Sequence, residues 1–195
     1  MNDKTTYCFL DFETTGLDYR KDQIIEVGII KTNSKFEEID RVNFFVQLED
    51  GRFLPSPIIE LTGITKRDLD SGIPLRIAKE TIARFIGNSI VVCHHAAFDL
   101  SFIHDVIKPD FYCTRTIHCI YHPDESHALI NISKKLGFPN KTQHRALTDA
   151  ENTKKLFKYF VQNIGEDGIK VFKNKLIYMP DRPYRYLPDN AVLLT

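Results

Sequence analysis

Asp11 and Glu13 stand two positions apart in Asp11-Phe12-Glu13-Thr14-Thr15-Gly16-Leu17, directly after the apolar run Tyr7-Cys8-Phe9-Leu10. Side chains alternate faces along a strand, so the two carboxylates point the same way while Phe12 points into the opposite layer. Two like charges on a strand that otherwise reads as core are costly. They raise each other's pKa or demand a cation. A divalent metal removes the conflict, and hard oxygen ligands suit Mg²⁺ or Mn²⁺. The competing reading is an edge strand whose polar face meets water.

Two further segments bear on the choice. His94-His95-Ala96-Ala97-Phe98-Asp99 follows a second apolar run, Ile90-Val91-Val92-Cys93. His144-Arg145-Ala146-Leu147-Thr148-Asp149-Ala150 opens a helical pattern. Each acidic segment lies at the end of a strand or the start of a helix, where all three could converge on one site. On these three motifs, in this order, the chain resembles the DEDD superfamily of 3′→5′ exonucleases, in its branch with a catalytic histidine. Within that branch it is similar to the proofreading (epsilon) subunits and exonuclease domains of bacterial replicative DNA polymerases. The resemblance runs from about Tyr7 to about Val161.

The resemblance implies two divalent cations, Mg²⁺ or Mn²⁺. Asp11 would bridge both, Glu13 and Asp149 would complete the shell of the ion that binds water, and Asp99 would support the other. Two metals can supply the nucleophile, the charge stabilisation and the help for the leaving oxygen that phosphodiester hydrolysis needs. His144 would be the general base. At ~100° per residue, five residues of continuous helix would set His144 and Asp149 roughly 140° apart. His144 is therefore expected on a loop just outside a helix whose first turns carry Asp149. A loop histidine can titrate near neutrality and reach the attacking water.

The resemblance also implies substrate contacts. Thr14, Thr15 and Leu17 would hold the terminal nucleotide, with Leu17 wedged between the last two bases. Leu61-Thr62-Gly63-Ile64-Thr65 looks like a family segment that touches the terminal sugar and base, with Thr62 where many relatives carry histidine. His95 stands where asparagine is commoner. Phe98 either floors the base pocket or is a core residue of an amphipathic helix. The implied substrate is the free 3′ end of DNA, single-stranded or frayed, and the implied partner a DNA polymerase. RNA stays open, because contacts that reject a 2′-hydroxyl are shape contacts. A non-catalytic binding module would be expected to lose an acid or His144, and all five are present.

The 195 residues suffice for one α/β domain. The net charge of zero argues against binding nucleic acid through a general positive field. Charge is nonetheless uneven. Residues 1–70 hold 9 Lys+Arg against 14 Asp+Glu, and residues 71–195 hold 17 against 12. Lys134, Lys135, Lys141 and Arg145 are candidates for a basic approach surface, or else a solvated helix face and loop. Cys8, Cys93 and Cys113 sit in apolar runs and read as reduced core residues. The spacing of Cys113, His118, Cys119, His122 and His127 fits no standard zinc pattern. With no apolar run long enough to span a bilayer and no leader, the expected location is cytoplasmic, with no membrane contact.

Apolar patterning places strands at Tyr7–Glu13, Ile24–Thr32, Val42–Val46, Ile90–Cys93 and Phe111–Cys113. It places helices at about Pro74–Phe85, Phe98–Ile107, Leu129–Leu136 and Arg145–Asn163, and a weaker one at Ile169–Leu176. That order implies an α/β fold with a mixed five-stranded sheet, a three-strand antiparallel meander plus parallel strands, flanked by helices. The resembled family shares such a fold, the ribonuclease H-like fold. Residues 1–164 read as the exonuclease domain and 165–195 as a C-terminal extension packed on it. In that extension Arg182-Pro183-Tyr184-Arg185-Tyr186-Leu187-Pro188 interleaves basic and aromatic residues. It could contact nucleic acid, and its composition favours packing across the domain.

Overall fold

Five strands make the main sheet: β1 (Tyr7–Thr14), β2 (Ile24–Thr32), β3 (Glu38–Phe45), β4 (Ile90–Cys93) and β5 (Phe111–Cys113). Their spatial order is β3-β2-β1-β4-β5. β1 and β3 both run antiparallel to β2, while β1, β4 and β5 are mutually parallel. This is the mixed sheet that the pattern of elements implies. The computed structural model describes residues 4–138, 144–178, 180 and 183–195. Lys141 and Arg182 lie outside the described residues.

Helices cover both faces. They are α1 (Ser56–Thr62), α2 (Lys66–Asp70), α3 (Leu75–Ile86), α4 (Ala96–Ser101), α5 (Thr114–Tyr121), α6 (Leu129–Lys135), α7 (Ala146–Ile164) and α8 (Glu166–Lys170). The alternation of β1 divides the core. Cys8, Leu10 and Phe12 pack with Ala78 and Ile82 of α3 and Leu100 of α4. Tyr7 and Phe9 pack on the other side with Leu156, Phe157 and Phe160 of α7. Phe157 centres an aromatic cluster with Tyr7, Phe9 and Tyr112 at 5.0–6.0 Å between rings. Each such ring contributes on the order of 1.5–3 kcal/mol by burial. Asp11 and Glu13 continue the Tyr7, Phe9 row and so emerge on the face that α7 covers.

Several boundaries differ from the sequence reading, each for a local reason. β3 begins at Glu38, because its first half is an exposed edge with no apolar alternation to betray it. α4 starts at Ala96, where the His95 ring accepts the Phe98 N–H at 3.3 Å. It ends at Ser101, well before Ile107. The predicted helix at Ile169–Leu176 is instead the short α8 followed by a strand, β6 (Lys175–Ile177), which pairs in parallel with β7 (Val192–Leu194). Asn174 makes the break. It adopts φ 58°, its Oδ1 accepts the Phe111 N–H at 2.8 Å, and its Nδ2 donates to Asp110. Residues of the C-terminal segment join both cores through Ile169, Phe172 and Leu176. All four cysteines are buried and free. Among the described residues no helix is long and apolar enough to cross a membrane.

Gly28 sets how closely α7 approaches the sheet. It sits opposite Asp11 in the β1–β2 register. A Cβ there would lie 2.3 Å from the carbonyl carbon of Ala146 and from the amide nitrogen of Leu147. The obstacle is helix backbone, so nothing can rotate away. Gly28→Ala should therefore lower the unfolding free energy by about 1–3 kcal/mol, the usual cost of overpacking. Urea unfolding should show this as a lower midpoint at unchanged slope, and an unaltered midpoint would mean that α7 has room to spare.

Candidate active site

The end of β1, the N-terminus of α4 and the N-terminus of α7 meet at one place. Glu13, His144 and Asp149 each offer a ligand atom there, all within 4.8 Å of one another. Asp11 belongs to the same cluster electrostatically. Burial raises its pKa well above the ordinary carboxylate range, and Asp99, Asp149 and Glu13 raise it further. Asp11 keeps part of its surface open to the cleft, yet the loss of water around its carboxylate still dominates. Burial pushes Glu13 up to about 7. Burial also raises Asp149, against the opposing pull of the nearby His144 charge. Asp99 is raised by burial too, although the Phe12 N–H donates to its carboxylate. Four acids gathered where water is scarce form a set of hard oxygen donors that suits a divalent cation.

Each acid is placed by a different element. Asp11 and Glu13 come from the same face of β1, Asp99 from the first turn of α4 and Asp149 from the first turn of α7. His144 lies outside α7, two residues before Ala146, with φ 54°. A left-handed histidine is uncommon, and it persists only where its neighbours hold it.

Glu26 supplies that hold. It lies beside Glu13 in the β1–β2 register, and its side chain is 1% exposed. Its carboxylate accepts from Arg145 Nε at 3.0 Å and from Nη2 at 2.9 Å, a two-pronged pair. It also accepts the Ala146 N–H at 3.2 Å and an Asn43 amide hydrogen at 3.1 Å. Arg145 has no side-chain capping bond of its own to α7. Glu26 thus satisfies a free amide of the first turn from across the sheet, where helix polarity favours an anion. The backbone immediately after His144 is fixed by this arrangement. Sequence reading passed over both Glu26 and Gly28. Their signal was a lone charge and a lone glycine inside the apolar run Ile24–Ile30.

The expected substrate residues separate into two groups. Leu17, 69% exposed, stands free beside the cleft. His95 and Phe98 meet edge-on, ring centres 6.2 Å apart, and burial holds His95 down to about 4, so its ring is neutral. The threonines are turned inward. Thr14 Oγ1 donates to the Gly16 carbonyl and Thr15 Oγ1 to Asp22. Thr62, 6% exposed, donates to the Ile58 carbonyl at 2.8 Å. These hydroxyls shape the turn after β1 and the end of α1.

The other candidate clusters do not assemble. Lys135 pairs with Glu125 at 2.5 Å and Arg145 with Glu26, so neither stands in an uncompensated basic patch. His118 Nδ1 lies 2.9 Å from His127 Nδ1. Among the described residues, however, Cys113, His118, Cys119, His122 and His127 form no group of three converging ligand atoms.

Known proteins resemble this chain in sequence and in fold. An exonuclease family model matches residues 8–157. The DNA polymerase III PolC-type of Mycoplasma genitalium is 35% identical over 84% of the chain, and that of Clostridium perfringens 28% identical over 96%. The chain spans only 12–14% of the length of these relatives. Escherichia coli exonuclease I in a zinc-bound complex with single-stranded DNA superimposes with a TM-score of 0.73 at 17% identity, over 82% of this chain and 41% of that one. The nuclease domain of 3′hExo, a DEDDh family member bound to rAMP, gives 0.68 at 18% identity, over 81% and 92%. These structural likenesses are to the fold. Members of the exonuclease family work with divalent metal ions, which agrees with the acidic cluster. The chain belongs to the exonuclease family.

Proposed function

We propose that the chain hydrolyses phosphodiester bonds from free 3′ ends of DNA, single-stranded or frayed, and releases nucleoside monophosphates. The observation that carries this reading is the convergence of Glu13, His144 and Asp149 within 4.8 Å, in electrostatic contact with Asp11 and Asp99. Asp11, Glu13, Asp99 and Asp149 would hold two divalent cations, Mg²⁺ or Mn²⁺. Bound there, the ions supply charge neutralisation and lower the pKa of water. His144 takes the proton of the attacking water. Its loop position outside α7 leaves the ring free of the helix ladder, and the Glu26–Arg145 pair holds its backbone in place. Four carboxylates would balance two dications before substrate arrives, so the site needs no general positive field from a chain of zero net charge.

The likeness to PolC-type polymerases supports a proofreading role beside a polymerase, in the cytoplasm. Leu17 is exposed beside the turn that Thr14 and Thr15 build, which supports its role as a wedge between the last two bases.

The decisive experiment is Mg²⁺-dependent release of mononucleotides from end-labelled single strands, DNA and RNA side by side. Faster cutting of RNA would reassign the chain as a processing exoribonuclease. Cutting of a closed single-stranded circle would reassign it as an endonuclease. His144→Ala should lower turnover by about 10²–10⁴ while metal affinity holds, the usual loss for a general base. Loss of metal binding in calorimetry would make His144 a ligand instead. Opening a terminal pair costs on the order of 1–2 kcal/mol, so matched duplex should be cut more slowly than a 3′ mismatch. Leu17→Ala should slow the matched substrate most, whereas equal slowing of every substrate would deny the wedge.

The raised acids also fix a pH dependence. A folded-state pKa above the unfolded value means that the native state holds more protons, so stability falls as pH rises through that window. For Glu13 the window runs from the unfolded value of about 4.3 up to about 7. His94, His95 and His118 act oppositely, since burial lowers them to about 3, 4 and 4. Their cost sets in as pH falls through the unfolded histidine value of about 6.5. Burial also raises Cys8, Cys93 and Cys119, whose effect sets in as pH rises through the unfolded thiol value of about 8.5. Between about pH 7 and 8 the acids dominate. In chelator, the melting temperature should therefore be higher at pH 7 than at 8, and saturating Mg²⁺ should flatten the difference. A chelator profile that is already flat would mean that neither burial nor the neighbouring charges hold these acids up.

A further inference from the structure

A groove of about 530 Å³ opens beside the acidic cluster. One wall is Leu17 and Phe98, the latter directly before Asp99. The opposite wall comes from the far end of the chain: Tyr184, Arg185 and Tyr186, with Arg115 of α5 alongside. The volume is within the range that holds a ligand of nucleotide size.

The C-terminal wall is fixed in place. Tyr184 donates its hydroxyl hydrogen to the Ile177 carbonyl at 2.8 Å, and its ring meets His95 edge-on at 6.1 Å. Tyr186 packs against Tyr19 and His104. Downstream, Asn190 donates to the Pro109 carbonyl and Val192 pairs with Lys175 of β6. Arg185 is held less tightly. It is exposed, with Nη1 3.8 Å from Asp18 Oδ2 in the loop that carries Leu17.

The sheet order separates this groove from the α1–α2 segment. The α1–α2 segment packs on Ile25 and Phe45, on the β2–β3 side of β1. Phe98 and Arg115 follow β4 and β5, on the other side. Leu17 stands between the two. A wedge at Leu17 would part the last two nucleotides between these two sides, and the arginines that suit a continuing phosphate backbone stand on the groove side.

We propose that Arg115, Tyr184, Arg185 and Tyr186 form the outer wall of a subsite for the second nucleotide from the 3′ end, the one just 5′ of the scissile phosphate. The aromatic rings offer apolar surface to the base and the guanidinium groups meet its backbone phosphate, a combination that suits single strands of any sequence. The proposal rests on the hydrolytic reading above.

Two substrates separate the subsite from the chemistry: the oligonucleotide dT8, and the p-nitrophenyl ester of thymidine 5′-phosphate, which has no second nucleotide. Arg185→Ala should lower the ratio of kcat/KM on dT8 to that on the ester by about 5–10-fold, as expected for loss of one charge-assisted contact. The change should lie in KM for dT8. Arg185→Lys should restore most of it. The salt dependence of dT8 binding should lose a log–log slope of ~0.7, one phosphate contact on a single strand. An unchanged ratio, with both substrates affected equally or neither affected, would overturn the subsite. Should the unaltered protein cut neither substrate, the hydrolytic reading fails and the subsite is judged by binding alone. Fluorescein-labelled dT8 in Ca²⁺ should then bind Arg185→Ala more weakly, and equal binding would overturn it.

Discussion

Repulsion among carboxylates is the constraint around which this molecule is built. Asp11, Glu13, Asp99 and Asp149 are drawn together from three separate elements, and burial strengthens the repulsion that water would otherwise screen. Left without a cation, such a cluster would push its elements apart. They stay together because each is anchored by a large apolar contact elsewhere. β1 is central in the sheet and buried on both faces. α4 is pinned by Leu100 among the residues of one core, and α7 by Leu156, Phe157 and Phe160 in the other. The apolar layers hold the acids in place so that a metal can be received without rearrangement, which is how a site is preorganised.

The approach of α7 makes this possible. Helix polarity alone would favour some acid near its first turn. Landing that turn directly over Asp11 requires a strand residue with no side chain, and Gly28 meets the requirement. The landing also buries a charge, since Glu26 stands two residues away on the same strand face. Removing a partner from a buried ion pair costs several kcal/mol, whereas the intact pair contributes little net stability. The Glu26–Arg145 pair is thus better understood as a locator than as a stabiliser. It fixes the rotation of α7 and the backbone next to His144 together, so His144 and Asp149 keep one spacing.

How far this was legible in the sequence follows from where the information is local. The five-stranded sheet and its mixed sense were readable because β1, β2, β4 and β5 are apolar runs with clear punctuation. The exposed half of β3 was not, because Glu38, Asp40 and Arg41 satisfy an edge that needs no apolar partner. The cluster of acids was readable because each stands at an element boundary in a short motif. Glu26 was invisible as a locator because its partner lies 119 residues away. The threonine hydroxyls turn to local partners, which their residue type alone does not reveal. Thr14, Thr15 and Thr62 have the right chemistry at the right places, but each hydroxyl is engaged by a nearby backbone or side-chain group. Hydroxyls in turns are commonly engaged this way.

The C-terminal segment shows why composition alone leaves function ambiguous. Its interleaved basic and aromatic residues fitted either a nucleic-acid contact or packing across the domain. In the structure the alternation serves packing and leaves a charge outside, because the chain bends at Arg185 between two tyrosines that pack on the domain. Tyr184 and Tyr186 turn toward His95, Tyr19 and His104, while Arg185 between them is left at the surface. Packing is therefore what makes a contact possible. A strap that only touched nucleic acid would have to be ordered at each binding event, and that entropy would weaken the affinity. A strap already tied to Ile177 and β6 presents its arginine with the ordering cost met on folding. The same bonds couple the strap to α4, through the edge contact of Tyr184 with His95, whose ring caps the helix that carries Asp99. Groove and acidic cluster are in this way two sides of one short helix.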